Sequence, residues 1–251
     1  MANGNINTMN RNTYNKMKNF FVNSTSLFEK ILYIFFAVLF IAIVIYWIIY
    51  IYQSYSQNKY FYSLISQYSP INQLNTYKEQ KIARSQVGNQ LTVSFWLKVN
   101  NVDSTRIKDQ KNILLIYDDN ENDFIQLKLG DGTNITNFTC LMKTSQTNLE
   151  SCVVNNIPLY TWVNFVYVFN NRTVDVYGNG KLIKSCVMQG IPNYPTSKNY
   201  YNVQIGSKTG NRDIDCELFM VQYYGRTLKA NEIYNLYNDK PNPQLLVKLT
   251  Q

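Results

Sequence analysis

Asp213, Asp215 and Glu217, in the stretch NRDIDCELF (211–219), are spaced two residues apart. Side chains on a β-strand alternate between faces, so the three carboxylates would share one. Paired carboxylates carry out glycoside hydrolysis, one as acid and the other as base or nucleophile. In a regular strand Asp213 and Glu217 would lie about 13 Å apart, too far for either glycosidase geometry; neighbours in the series would lie about 6.7 Å apart, which is permissible. The same oxygens could hold Ca²⁺, with Asp213 and Asp215 as ligands. Against both readings stands a plainer one: Asp213 and Asp215 follow Gly210-Asn211, where short acids serve turns.

Composition narrows the chemistry. The 251 residues include no histidine, which removes imidazole bases, histidine-activated nucleophiles and histidine-containing zinc sites. No pair of cysteines has the close spacing of a zinc site. The net charge of +8 is scattered rather than gathered into a stripe, so a nucleic-acid partner is not expected.

The elements that would position these acids lie beyond an apolar run, ILYIFFAVLFIAIVIYWIIYIY (31–52), which carries no charge. As a helix it is about 33 Å long, enough for a bilayer core of about 30 Å. Tyr46, Trp47, Tyr50 and Tyr52 crowd one end, as at a membrane interface. The run is too long for a cleaved signal peptide, and no small-residue cleavage site follows it. Arg11, Lys16, Lys18 and Lys30 precede it, while Lys59 alone follows closely. The positive-inside bias therefore predicts a single-pass protein with a cytosolic N-terminus and an extracytosolic C-terminal domain. The expected organisation is a disordered tail over 1–30, a transmembrane helix over 31–52, a stalk over 53–80 and a β-sandwich over 81–251.

All four cysteines follow the apolar run, on the side that permits oxidation. Cys140 and Cys152 flank LMKTSQTNLES, which reads as two strands around a polar turn. A hairpin there sets them opposite one another and predicts a Cys140–Cys152 bridge, leaving Cys186 with Cys216, each worth about 3 kcal/mol. The sequons at Asn134, Asn137 and Asn171 fall on the same side and are candidate glycosylation sites; that at Asn23 falls on the cytosolic side and is expected to stay bare.

From residue 81 the pattern is strand after strand. LTVSFWLKV (91–99) alternates, with Leu91, Val93, Phe95, Leu97 and Val99 on one face and Trp96 on the other. WVNFVYVF (162–169) is apolar on both faces apart from Asn164, the mark of a central strand. Asn179-Gly180 supplies the positive φ angles of a tight hairpin turn. A short helix fits KANEIYNLYN. Many short strands with regular turns predict an all-β sandwich or jelly roll.

Four stretches in order, LTVSFWLKV, YTWVNFVYVF, VDVYGNGKLI and YYGRTLKANEIYNLY, resemble the landmarks of laminin-G-like domains in the concanavalin A-like lectin/glucanase superfamily. They supply Ser94-Phe95-Trp96, the strand-leading Trp162, Tyr177-Gly178-Asn179-Gly180, and Tyr224-Gly225-Arg226-Thr227-Leu228 with Glu232-Ile233. The resemblance implies two packed, curved antiparallel sheets in a concanavalin A-like jelly roll. Lys229 replaces the capping serine common before the glutamate, and Phe219 stands where many members carry an aspartate. Glucanases of the superfamily use a Glu-x-Asp-x-Glu strand, which Asp213-Ile-Asp215-Cys-Glu217 resembles with its first acid shortened. Alignment of the closing motif makes 211–216 a loop.

The expected function is a non-catalytic, membrane-anchored, lectin-like module that binds glycan or protein. Trp96 and the tyrosines of NYPTSKNYYN (193–202), namely Tyr194, Tyr200 and Tyr201, are its candidate contacts, with a second packed face inside the sandwich as the plainer reading of Trp96. No cofactor is expected beyond Ca²⁺ at Asp213 and Asp215. The alternatives are a structural protein in the virion membrane of a large DNA virus, with capsid proteins as partners, and a glycosidase using Asp213, Asp215 and Glu217.

Overall fold

The computed structural model describes residues 6–58, 61–66, 68–82, 84–85, 88–102, 110–130, 134–146, 149–195, 200–206 and 214–238. It separates into two units, 1–58 and 59–251. The first is a helix, α1 (Ile6–Asn58), which contains Ser26–Tyr52, a segment long and apolar enough to cross a bilayer. A signal sequence near an N-terminus would meet the same measure. The helix begins well inside the tail expected to be disordered.

The second unit carries the strands β1 (Phe61–Ile65), β2 (Ser69–Pro70), β3 (Asn75–Lys81), β4 (Gln90–Val102), β5 (Lys111–Tyr117), β6 (Asp123–Leu129), β7 (Phe138–Lys143), β8 (Leu149–Val154), β9 (Trp162–Asn170), β10 (Thr173–Gly178), β11 (Lys181–Val187), β12 (Tyr200–Ile205) and β13 (Ile214–Tyr224), then a helix, α2 (Ala230–Asn238). One sheet runs β1-β13-β4-β9-β10-β11, with β2 also paired to β13; the other runs β3-β12-β5-β6-β7-β8. All neighbours are antiparallel. The stalk reading of 53–80 gives way here. Its first residues continue α1, and β1, β2 and most of β3 are strands of the sandwich.

Alternation builds the interior. Leu91, Val93, Phe95, Leu97 and Val99 of β4 all enter the core between the sheets. Phe95 sits among Phe138, Phe165 and Tyr167, with ring centroids 5.8–6.1 Å away. The centre of the core is therefore aromatic, where each side chain contributes a large buried area. β9 is central, between β4 and β10, as its two apolar faces predict. Asn164, the polar residue in its buried stretch, donates from its backbone to the Asn179 side chain (2.9 Å), while Asn179 N–H donates back to the Asn164 carbonyl (2.8 Å). That exchange pins the β10–β11 turn, where Asn179 and Gly180 take φ of 50° and 77° as a tight hairpin demands. Val174 and Val176 of the hairpin are buried, whereas Leu182 on the other arm is exposed.

The cysteines pair differently from the expectation. Cys140 and Cys152 do face one another across β7 and β8, but the disulfide joins Cys152 to Cys186, with Cα atoms 5.8 Å apart. Cys140 and Cys216 are buried free thiols, and burial raises both above the usual thiol value. Topology explains the change. β13 and β11 are four strand spacings apart in one sheet, about 19 Å, so Cys216 is far beyond disulfide reach of Cys186. Cys186 packs instead against the inter-sheet core, into which Cys152 of the other sheet points.

Candidate ligand-binding face

β13 starts at Ile214, so Asp215 lies in a strand rather than in the loop expected over 211–216. Cys216 and Leu218 are buried in the core. Asp215 and Glu217 therefore point outward from the same sheet, as alternation requires. Asp213 lies outside the described residues. A bulge between Phe219 and Gln222, with Met220 at φ 51°, adds one residue to β13 against β4. It returns Tyr223 to the core while Phe219 and Tyr224 stay on the outer face.

Most of this outer face is covered. Thr92 Oγ1 donates to the Arg226 carbonyl (2.8 Å) and accepts from Leu228 N–H (3.2 Å), which lays the chain entering α2 across β4. Ile233 and Leu228 then pack on Val166, Val168 and Tyr224, and burial pushes the Tyr224 phenol up to about 12. With Lys229 in place of serine, half of the usual reciprocal cap survives: Glu232 accepts the Lys229 N–H (2.8 Å). Arg226 holds that carboxylate through two hydrogen bonds of 3.0 and 2.7 Å. Burial alone would raise the Glu232 carboxyl, but these donors bring it below its usual value.

Beside this covered zone, Trp96, Trp162 and Phe219 form a second outer cluster, and Tyr237 of α2 stacks on Trp96 at 5.9 Å. At its margin stands Tyr68, 41% exposed, with its ring edge-on to Trp162 at 5.8 Å. Burial first, then hydrogen bonding to the Glu217 carboxylate and the charges of Glu217 and Asp215, raise its phenol above the usual range. Lys98 lies across from Glu217 in the β4–β13 register. The result is an exposed aromatic ring next to two outward carboxylates, at the border of the zone that α2 covers over β4, β9 and β13.

The expected contacts fall elsewhere. Trp96 is on the outer face, as expected, but only 5% exposed, because Tyr237 lies over it. Tyr194 is buried, its hydroxyl 2.8 Å from that of Tyr223 and its ring 4.6 Å from Phe124. Tyr201 is fully buried against Phe124. These three are withdrawn from solvent and cannot be primary contacts. Tyr200, the outward partner of Tyr201 on β12, is exposed, but on the other sheet. Tyr68 was missed because it precedes a two-residue strand, too short to carry a periodic signal. Among the described residues no group of three or more cysteine, aspartate or glutamate side chains is placed to hold a metal ion.

Of the sequons, Asn171 is exposed in the turn between β9 and β10. Asn134 is half-buried and accepts from the Thr136 N–H and hydroxyl (2.9 and 2.8 Å). Asn137 is buried and, as folded, closed to modification, contrary to expectation. A separate concavity of about 450 Å³ opens at the sandwich edge, with Val153 and Val154 of β8 on one side, Ile183 and Lys184 of β11 on the other, and Val163 and Phe165 as its floor.

A family model described as the concanavalin A-like lectin/glucanases superfamily, Laminin_G_3, matches residues 74–234. The chain belongs to the concanavalin A-like lectin/glucanase superfamily. A search among curated protein sequences finds no match. Similar solved structures include the botulinum neurotoxin serotype G binding domain, with 12% identity and a TM-score of 0.54, covering 72% of this chain and 50% of that one. The receptor binding domain of botulinum neurotoxin D is 14% identical with a TM-score of 0.51, covering 71% and 52%. The binding domain of botulinum neurotoxin DC, solved in complex with SialylT and with rat synaptotagmin II, is 11% identical with a TM-score of 0.50, covering 69% and 46%. At these identities the likeness is one of fold. The chain spans about half the length of these structures. A concanavalin A-like sandwich hosts both lectins and glucanases, so function has to be argued from the site.

Proposed function

We propose that the concanavalin A-like sandwich is a non-catalytic, lectin-like binding module whose glycan ligand lies across Tyr68, Asp215 and Glu217, and that Ser26–Tyr52 anchors the chain in a membrane with its N-terminus cytosolic. The observation that carries the reading is the exposed Tyr68 ring beside two carboxylates. A pyranose offers an apolar C–H face and a rim of hydroxyls; an aromatic ring suits the first and charged acceptors the second. The Glu217 carboxylate is already tied to the Tyr68 phenol, a support for positioning rather than for proton transfer. The neurotoxin domains, solved as binding domains and in one case with SialylT and with synaptotagmin II, lend this reading a precedent of fold. Nothing in these comparisons bears on a virion or capsid role.

The test is glycan-array binding by the full chain in lipid nanodiscs, paired with reducing-sugar release from soluble β-glucans. Binding that Tyr68→Ala removes, with no sugar released, supports the module. Sugar release that disappears in Glu217→Gln would make the protein a glycosidase. Capture of a protein without glycan would move the ligand to the protein class. Ca²⁺ at Asp213 and Asp215 belongs to the same reading, and binding that survives chelation would remove it. Glycosylation at Asn171 with Asn23 bare is the outcome expected of the proposed orientation; the reverse would invert it.

A further inference from the structure

Three of the four cysteines gather at one edge of the sandwich. β11 is exposed along its length except at Cys186, and its backbone pairs with β10 alone. The Cys152–Cys186 bond is the covalent tie between this strand and the opposite sheet. Cys140 stands directly across from Cys152 in the β7–β8 register, and both belong to the buried core between the sheets. Directly opposed positions of antiparallel strands have Cα atoms about 4.5–5.5 Å apart, within the span a disulfide bridges. Cys152 thus has two sulfur neighbours in reach, one bonded across the sheets and one free on its own sheet.

We propose that these residues form an exchange triad, in which Cys140 can take the place of Cys186 and release β11 from the second sheet. Cys140 gives up its proton and its thiolate attacks Cys152 Sγ. The Cys140–Cys152 bond forms as the Cys152–Cys186 bond breaks, and Cys186 leaves as a thiolate that takes up the proton. The number of disulfides is unchanged, so the step needs no external oxidant or reductant. Its structural consequence falls on the edge cleft, whose walls at Ile183 and Lys184 and at Val153 and Val154 are the two strands the bond joins. Burial of Cys140 holds its sulfur as the thiol, so exchange waits on opening of this edge and runs on the minutes-to-hours scale of uncatalysed rearrangement. This triad is independent of the glycan reading, which concerns the outer face of the sheet.

The test is non-reducing peptide mapping of the full chain in nanodiscs, held at mildly alkaline pH, quenched in acid and alkylated after denaturation. With time, a Cys140–Cys152 peptide pair is expected to appear and the alkyl label to move from Cys140 to Cys186, with Cys216 labelled throughout. Cys140→Ser should keep the Cys152–Cys186 pair alone. Cys186→Ser, refolded in a glutathione buffer, should show Cys140 bonded to Cys152. Amide exchange across β11 should rise in the wild type and stay level in Cys140→Ser. A wild-type map that never departs from Cys152–Cys186, or a folded Cys186→Ser chain with Cys140 and Cys152 both alkylated, would overturn the proposal.

Discussion

The two faces of the β4–β9–β13 sheet are built from the same strands and do different work. The inner face meets the second sheet and is closed throughout, with Phe95, Phe165, Tyr167 and Tyr223 all buried. The outer face is covered in part by α2 and ends in a margin where Tyr68 remains open beside Asp215 and Glu217. Both faces are rich in aromatic rings, so composition alone does not separate them. Coverage does. A ring packed between sheets holds the fold; a ring at the border of a covered zone is left free to meet a ligand.

Substitutions on the two faces should therefore differ in what they break. The largest loss of stability is expected inside. Phe165→Ala leaves a cavity beside Phe95 and Phe138 and should cost about 3–5 kcal/mol, read as a shift of the denaturant midpoint. Next comes the edge bond. Cys152→Ser removes the 34-residue closure between Cys152 and Cys186, worth about 4 kcal/mol in the chain-entropy account. It also removes the Cys140 alternative, so it should cost more than Cys186→Ser; equal losses would argue against a second partner for Cys152. Ile233→Ala loosens α2 from the outer face and should cost about 2–3 kcal/mol, because the site lies in a smaller cluster beside solvent.

Acid should act more gently. The folded Glu232 carboxyl lies below its usual value because of Arg226 and the Lys229 N–H, set against its burial. Glu150 is likewise low: burial opposes the shift, but Thr144 and the backbone N–H groups of Gln189 and Gly190 donate to it, near Arg172. A depressed carboxylate contributes stability that is fully present above its unfolded value of about 4.3 and is lost as pH falls through the folded value. Thermal melts should hold level near neutrality and decline on acidification below about pH 4. Glu232→Gln should flatten part of that decline. A melting temperature that rises with acid would contradict both assignments. The smallest effect on stability is expected at Tyr68, where Tyr68→Ala gives up a half-exposed ring's contact with Trp162 and should cost about 1 kcal/mol or less.

Much of the sandwich was legible because its signals are local. β6 and β7 match DFIQLKL and FTCLMK residue for residue, and Asn179-Gly180 marked its own turn. What escaped was set by neighbours distant in sequence. The partner of Cys152 depended on which strands form the sheet edges, a property of strand order. The burial of Trp96 depended on Tyr237, more than a hundred residues away. The proposed site was half legible: alternation put Asp215 and Glu217 on one face, but nothing periodic announced Tyr68, and the residues from 61 to 81 lacked the apolar run that would have marked them as strands.

The most direct test of the central claim is titration of a glycan-array hit against the full chain and its Tyr68→Ala, Tyr68→Phe and Glu217→Gln variants, with melting curves run alongside. Loss of affinity of about 10-fold or more in Tyr68→Ala, worth about 1.4 kcal/mol, a smaller loss in Tyr68→Phe, which keeps the ring, and little change in melting would place the ligand on this face. Undiminished affinity in all three variants would show that the open margin of the sheet is not where this protein binds.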